Sequence, residues 1–114
     1  MGQLSTHALD TVAGKPAAGM RVELLRIGSG GEATPVAEAT TNADGRTDGP
    51  LLGPDHWAPG RYELRFHVGA YFAARGIPSP FLDVVPIRFA MEGEGRWHVP
   101  LVASPWSYST YRGS

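Results

Sequence analysis

The chain has 114 residues, 42% of them hydrophobic, which suits one small packed domain running from residue 1 to residue 114. Ten basic and eleven acidic residues give a net charge of −1 with no basic stripe, so nucleic-acid binding is disfavoured. No apolar run is long enough to span a membrane as a helix, and the absence of cysteine excludes a disulfide framework, a thiolate zinc site and a cysteine nucleophile.

Fifteen Gly and ten Pro cut the chain into short pieces, which argues against a helical bundle. Leu4 to Leu9 reads as a first strand, with Leu4, Thr6 and Ala8 on one face and Ser5, His7 and Leu9 on the other. Only Met1 to Leu4 precede or begin it, so no secretory leader is expected. Met1-Gly2-Gln3-Leu4-Ser5-Thr6 fits the N-myristoylation pattern, but no basic cluster supplies a second membrane signal. Met20, Val22 and Leu24 make the apolar face of a second strand, and Val36 to Thr41 forms another. Asn42-Ala43-Asp44-Gly45 predicts a tight turn leading into Arg46.

Arg61 to Val68 alternates most cleanly: Tyr62, Leu64, Phe66 and Val68 face one way, and Arg61, Glu63, Arg65 and His67 face water. A short helix is expected over Ala70 to Arg75, stopped by Gly76 and Pro78. Val85, Ile87, Phe89 and Met91 give the next strand face, and Trp97, Val99 and Leu101 another, where Pro100 suggests an edge or a bulge. Trp106 to Arg112 is the last expected strand. About seven short strands with turns between them predict an all-β sandwich.

The residues able to carry chemistry are few. Histidine is the readiest proton carrier near neutral pH. His67 and His56 read as a solvated strand face and a loop. His7 and His98 each lie on the non-core face of a strand. Arg46, held beside a turn, can present a planar fork to a carboxylate or a cyclic urea. No His-x-His or His-Glu-x-x-His metal motif, no Gly-x-Ser-x-Gly elbow and no phosphate loop is present. The chain ends in Tyr111-Arg112-Gly113-Ser114, a polar tail that reads as placed in a site rather than frayed.

Together these segments resemble the 5-hydroxyisourate hydrolase family, the transthyretin-related enzymes of purine breakdown. The likeness lies in Leu4-Ser5-Thr6-His7-Ala8-Leu9-Asp10, Gly14-Lys15-Pro16-Ala17, the TNADGRT run from Thr41 to Thr47, Phe81 to Phe89, Trp97-His98-Val99-Pro100-Leu101, and the terminal SPWSYSTYRGS. Leu82-Asp83, Trp97 and Trp106 depart from the family's usual residues and bear on local packing. Transthyretin, the hormone carrier of the same fold, lacks the Tyr-Arg-Gly-Ser ending and the two histidines.

The resemblance implies a transthyretin-like β-sandwich of two four-stranded sheets with one short helix, assembled as a homotetramer that is a dimer of dimers. It implies hydrolysis of 5-hydroxyisourate to 2-oxo-4-hydroxy-4-carboxy-5-ureidoimidazoline in urate degradation, with no cofactor. The composition, which lacks cysteine, a basic stripe and an apolar span, fits a cytoplasmic protein without a nucleic-acid or membrane partner. No metal motif is present, and whether an additional ligand or metal binds stays open. His7, Arg46, His98 and Ser114 would be catalytic, and His7, Arg46, Tyr111 and Arg112 would bind substrate. Which histidine is the base, and whether Ser114 acts through its hydroxyl or the terminal carboxylate, stays open. The competing reading is a non-catalytic carrier of small aromatic ligands in the same channel.

Overall fold

The computed structural model describes residues 2–93 and 95–113. Its strands are β1 (Gln3–Asp10), β2 (Lys15–Pro16), β3 (Arg21–Ile27), β4 (Ala33–Thr40), β5 (Gly60–His67), β6 (Val84–Met91), β7 (Arg96–Ala103) and β8 (Tyr108–Thr110), with one helix, α1 (Val68–Ala73). They form two four-stranded sheets, ordered β2-β1-β7-β8 and β4-β3-β5-β6. The all-β sandwich expected from the alternation is therefore the fold. No helix among the described residues is long and apolar enough to cross a membrane.

Alternation decides what each strand buries. Along β1 every second residue from Leu4 to Asp10 is buried, and Gln3, Ser5, His7 and Leu9 between them are half-exposed. The core between the sheets is filled by Leu4, Met20, Val22, Leu24, Tyr62, Leu64, Phe66, Phe72, Met91 and Leu101. Each large apolar side chain buried this way contributes about 1.5–3 kcal/mol. β1 and β7 run parallel in full register, which sets Gln3 beside Arg96, Ser5 beside His98 and His7 beside Pro100. Paired residues of neighbouring strands share a face, so the polar residues of the two strands gather on the outside of one sheet.

Several details differ from the sequence expectation. A bulge in β4 at Val36, opposite the Leu24–Leu25 step, leaves the alternation of β3 intact: Arg26 stays on the face of Tyr62 and donates to its hydroxyl, while Leu25 and Ile27 are buried on the other face of the sheet. The helix begins at Val68 rather than Ala70, directly after β5, and buries Val68, Tyr71 and Phe72. It ends at Ala73, two residues short of the expected Arg75, and the chain turns away at Gly76, where Gly76 N–H donates to the Ala73 carbonyl and Ile77 N–H to the Phe72 carbonyl, the paired bonds of a Schellman stop. The last strand is shorter than expected. Ser104 to Ser107 form a turn, in which the Ser104 hydroxyl accepts from the N–H groups of Trp106 and Ser107, and pairing starts only at Tyr108.

Pro100 does not mark an edge strand, since β7 lies between β1 and β8. Its effect falls on the β8 side. Pairing with β8 stops at Leu101, opposite Thr110, and resumes in the same register only at the His98–Gly113 bridge. Pro100 has no N–H to offer between them, and its carbonyl accepts the Thr110 hydroxyl at 2.7 Å instead. The gap frees residues 111 and 112 from the ladder.

Glu63 is not solvated as the alternation suggests; it is 6% exposed and held by Arg65 and Arg88. Burial raises its pKa, but the bonds from the two guanidiniums overcome this and hold it below the usual carboxylate range. His67 likewise pairs with Glu23 at 2.6 Å. At the end of β1, buried Asp10 accepts the N–H groups of Val12 and Ala13 and the Tyr71 hydroxyl, which fastens the strand to α1.

Candidate active site

The outer face of the β2-β1-β7-β8 sheet carries the site. A cleft of ≈ 570 Å³ lies there, lined by Gln3, Ser5 and His7 of β1, Arg46, Arg96 and His98 of β7, Tyr111 and Gly113. His7 and His98 face each other with ring centroids 6.5 Å apart. The two imidazoles are held differently. His7 Nε2–H donates to the Asp44 carbonyl at 2.8 Å, and a carbonyl can only accept, so Nε2 carries the proton and Nδ1 is left to accept one. His98 Nδ1 bonds the Ser5 hydroxyl at 2.9 Å, which leaves Nε2 for the cleft. Burial lowers the His98 pKa, and the positive charge of Arg46 and the neighbouring His7 lower it further. Each of these effects favours the neutral form of the His98 imidazole.

The predicted turn brings Arg46 to this face. Asn42 Oδ1 accepts the N–H groups of Asp44 and Arg46, and Gly45 N–H closes back on the Asn42 carbonyl. Gly45 has φ +74°, and a Cβ there would stand 2.4 Å from the Ala8 carbonyl oxygen. Only glycine lets the turn lie this close against β1. Ala8 N–H then donates to the Gly45 carbonyl at 2.8 Å, and Arg46 forms a bridge with His7. Backbone bonds thus fix the guanidinium-bearing residue beside the first histidine.

The tail completes one wall. Gly113 N–H donates to the His98 carbonyl at 2.7 Å, and a Cβ at 113 would stand 2.7 Å from His98 Cδ2. The glycine therefore lets the tail run against the imidazole. Tyr111 is 58% exposed and lines the cleft. Arg112 does not line it: its guanidinium lies 3.8 Å over the Trp97 ring, in a neighbouring hollow shared with Ile87 and Phe89. Ser114 lies outside the described residues.

Of the residues singled out in the sequence, His7, Arg46, His98 and Tyr111 meet in one place. Ser5, Gln3, Arg96 and the Asp44 carbonyl were missed. The alternation of β1 puts Ser5 on the face of His7, but only the parallel β1–β7 register sets its hydroxyl against His98. Two neutral or protonatable imidazoles and two guanidiniums around one cleft can move protons and stabilise developing negative charge. Among the described residues no group of three or more His, Asp or Glu side chains is placed to hold a metal ion.

Residues 4–113 match the HIUase/Transthyretin family, and the chain belongs to that family. It is 56% identical to 5-hydroxyisourate hydrolase of Deinococcus radiodurans, over 97% of this chain and 95% of that one. Among solved structures, 5-hydroxyisourate hydrolase of Klebsiella pneumoniae superposes with a TM-score of 0.85 at 38% identity and full coverage of both chains. A crystal structure of (S)-allantoin synthase superposes with a TM-score of 0.91 at 46% identity, over 99% of this chain but only 44% of that longer one.

Proposed function

We propose that this chain is an enzyme that hydrolyses 5-hydroxyisourate to 2-oxo-4-hydroxy-4-carboxy-5-ureidoimidazoline, a step of urate degradation. The observation that carries the reading is the meeting of His7, Arg46 and His98 on one sheet face, in a chain 56% identical to a protein named for that hydrolysis. The same observation favours an enzyme over a carrier, since a channel for apolar rings needs no pair of facing proton carriers.

In this mechanism water attacks the C6 carbonyl and its proton passes to a histidine. Arg46 stabilises the negative charge that develops on the carbonyl oxygen. The tetrahedral intermediate collapses by breaking the N1–C6 bond, the proton is delivered to N1, and the carboxyl group is left on the opened ring. His98 carries the proton from water to N1, His7 faces it across the cleft as a second imidazole that hydrogen-bonds water or substrate, and Tyr111 lines the pocket against the substrate. Ser114 belongs to the proposal as a group that orients the water. Arg112, stacked on Trp97, serves by holding the tail in place. A homotetramer, cytoplasmic location and a site closed by a second copy form part of the same proposal. Support comes from β6 and β8, which end their sheets, and from the exposed Val84, Trp106, Tyr108 and Tyr111 nearby.

The test is direct. 5-Hydroxyisourate is generated from urate by urate oxidase, the protein is added, and the ultraviolet decay is followed. Decay well above the uncatalysed control is expected. A folded, assembled protein without acceleration would refute the proposal and turn attention to ligand binding.

A further inference from the structure

One polar contact in the cleft has no part in the mechanism above. Ser5 and His98 are register partners on β1 and β7, their side chains share the outer face, and Ser5 Oγ lies 2.9 Å from His98 Nδ1. A hydroxyl can donate one hydrogen bond and accept others. It therefore suits Nδ1 in both states of the imidazole, accepting from Nδ1–H or donating to a bare Nδ1. We propose that Ser5 is a positioning residue that holds the His98 ring by Nδ1 and keeps Nε2 as the atom that exchanges protons with water and the leaving nitrogen. The inference rests on the hydrolase reading.

The proton count closes. A neutral His98 with Nδ1–H on Ser5 takes the water proton at Nε2 as the O–C6 bond forms. The resulting imidazolium keeps its Nδ1–H bond to Ser5, now charge-assisted and stronger. The Nε2 proton then goes to N1 as the N1–C6 bond breaks, and the ring returns to its starting state. The geometry resembles other sites in which one ring nitrogen is anchored so that the other can act. Burial already favours the neutral ring, so the hydroxyl is the nearby group that offsets the cost of charging it. The other charged or titratable groups facing His98 are His7 of β1, Arg46 of the turn, Arg96 of β7 and Tyr111 of the tail.

Ser5→Ala and Ser5→Thr test this. In Ser5→Ala, kcat should fall about 10–100-fold with KM nearly unchanged, and the acid limb of the pH–rate profile should move to lower pH. Ser5→Thr keeps the hydroxyl and should restore most of the rate. Independently of turnover, the His98 imidazole followed by NMR in the free protein should titrate at lower pH in Ser5→Ala than in the parent. An unmoved His98 titration, or a rate loss that Ser5→Thr does not recover, would overturn the positioning role. A parent protein with no hydrolase activity would overturn the hydrolase reading and the catalytic use of the contact, whereas the titration shift would still report the anchoring itself.

Discussion

Gly45→Ala isolates how the Arg46 turn is held. Gly14 and Gly45 have nearly the same backbone, φ +70° and +74°, but a Cβ at 14 would meet nothing within 4 Å while one at 45 would stand 2.4 Å from the Ala8 carbonyl oxygen. Gly14→Ala should therefore cost only the left-handed penalty, about 1–2 kcal/mol. At Gly45 the same penalty applies, and the turn must also retreat by roughly 1 Å to reach ordinary contact. The Ala8 carbonyl cannot give way easily, because it already accepts Ala17 N–H at 2.9 Å. Retreat stretches the Ala8 N–H bond to the Gly45 carbonyl, worth about 1–3 kcal/mol where a buried donor is left unpaired. The expected loss is about 2–5 kcal/mol. A displacement near 1 Å at Arg46 should also lower kcat/KM about 100-fold. Urea unfolding at one fixed protein concentration and 5-hydroxyisourate decay on both variants would check this. Equal destabilisation of the two, or a Gly45→Ala protein with parental kcat/KM, would refute the reasoning.

Three other outcomes are expected. His7→Ala, Arg46→Ala and His98→Ala should each reduce kcat at least about 100-fold, measured by initial rates on folded protein; near-parental rates in all three would dismiss the site. Tyr71→Phe should cost about 1–3 kcal/mol at neutral pH by removing the hydrogen bond to Oδ2 of buried Asp10, whose Oδ1 keeps the Val12 and Ala13 N–H groups. Burial, and then the bond to Asp10, push the Tyr71 hydroxyl from its ordinary 10.0 up to about 12, so its contribution is full below pH 10 and lost as pH rises toward 12. The stability gap between parent and Tyr71→Phe, read by urea unfolding, should shrink over that range. Deleting residues 111–114 should abolish hydrolysis yet leave thermal unfolding nearly unchanged, since the tail adds little to the core; an unfolded product would make the tail structural.

Much of the architecture was legible because burial of alternate residues is a local property. The period-two pattern of Leu4 to Asp10 and of Arg61 to Val68 announced strands and their inner faces. Asn42 to Gly45 announced a turn, since an Asx residue followed by glycine has few other uses. Pattern reasoning stumbled where a single residue's role depends on a distant neighbour. Pro100 reads as an edge marker, but its missing N–H is spent against β8 in an inner strand. Glu63 reads as solvated until Arg88, brought across by β6, covers it. The position of Arg112 is likewise set from a distance, its guanidinium lying over the ring of Trp97.

By itself the sequence determined the β-sandwich, the non-core placement of His7 and His98, and the turn that carries Arg46, all consequences of spacing within short segments. Only the tertiary structure decided that these segments converge. Residues 5 and 98 meet because β1 and β7 pair in parallel, a long-range register that no local periodicity encodes. The chemistry of the cleft depends on that register: which imidazole nitrogen is anchored, which is free, and how far apart the two rings stand.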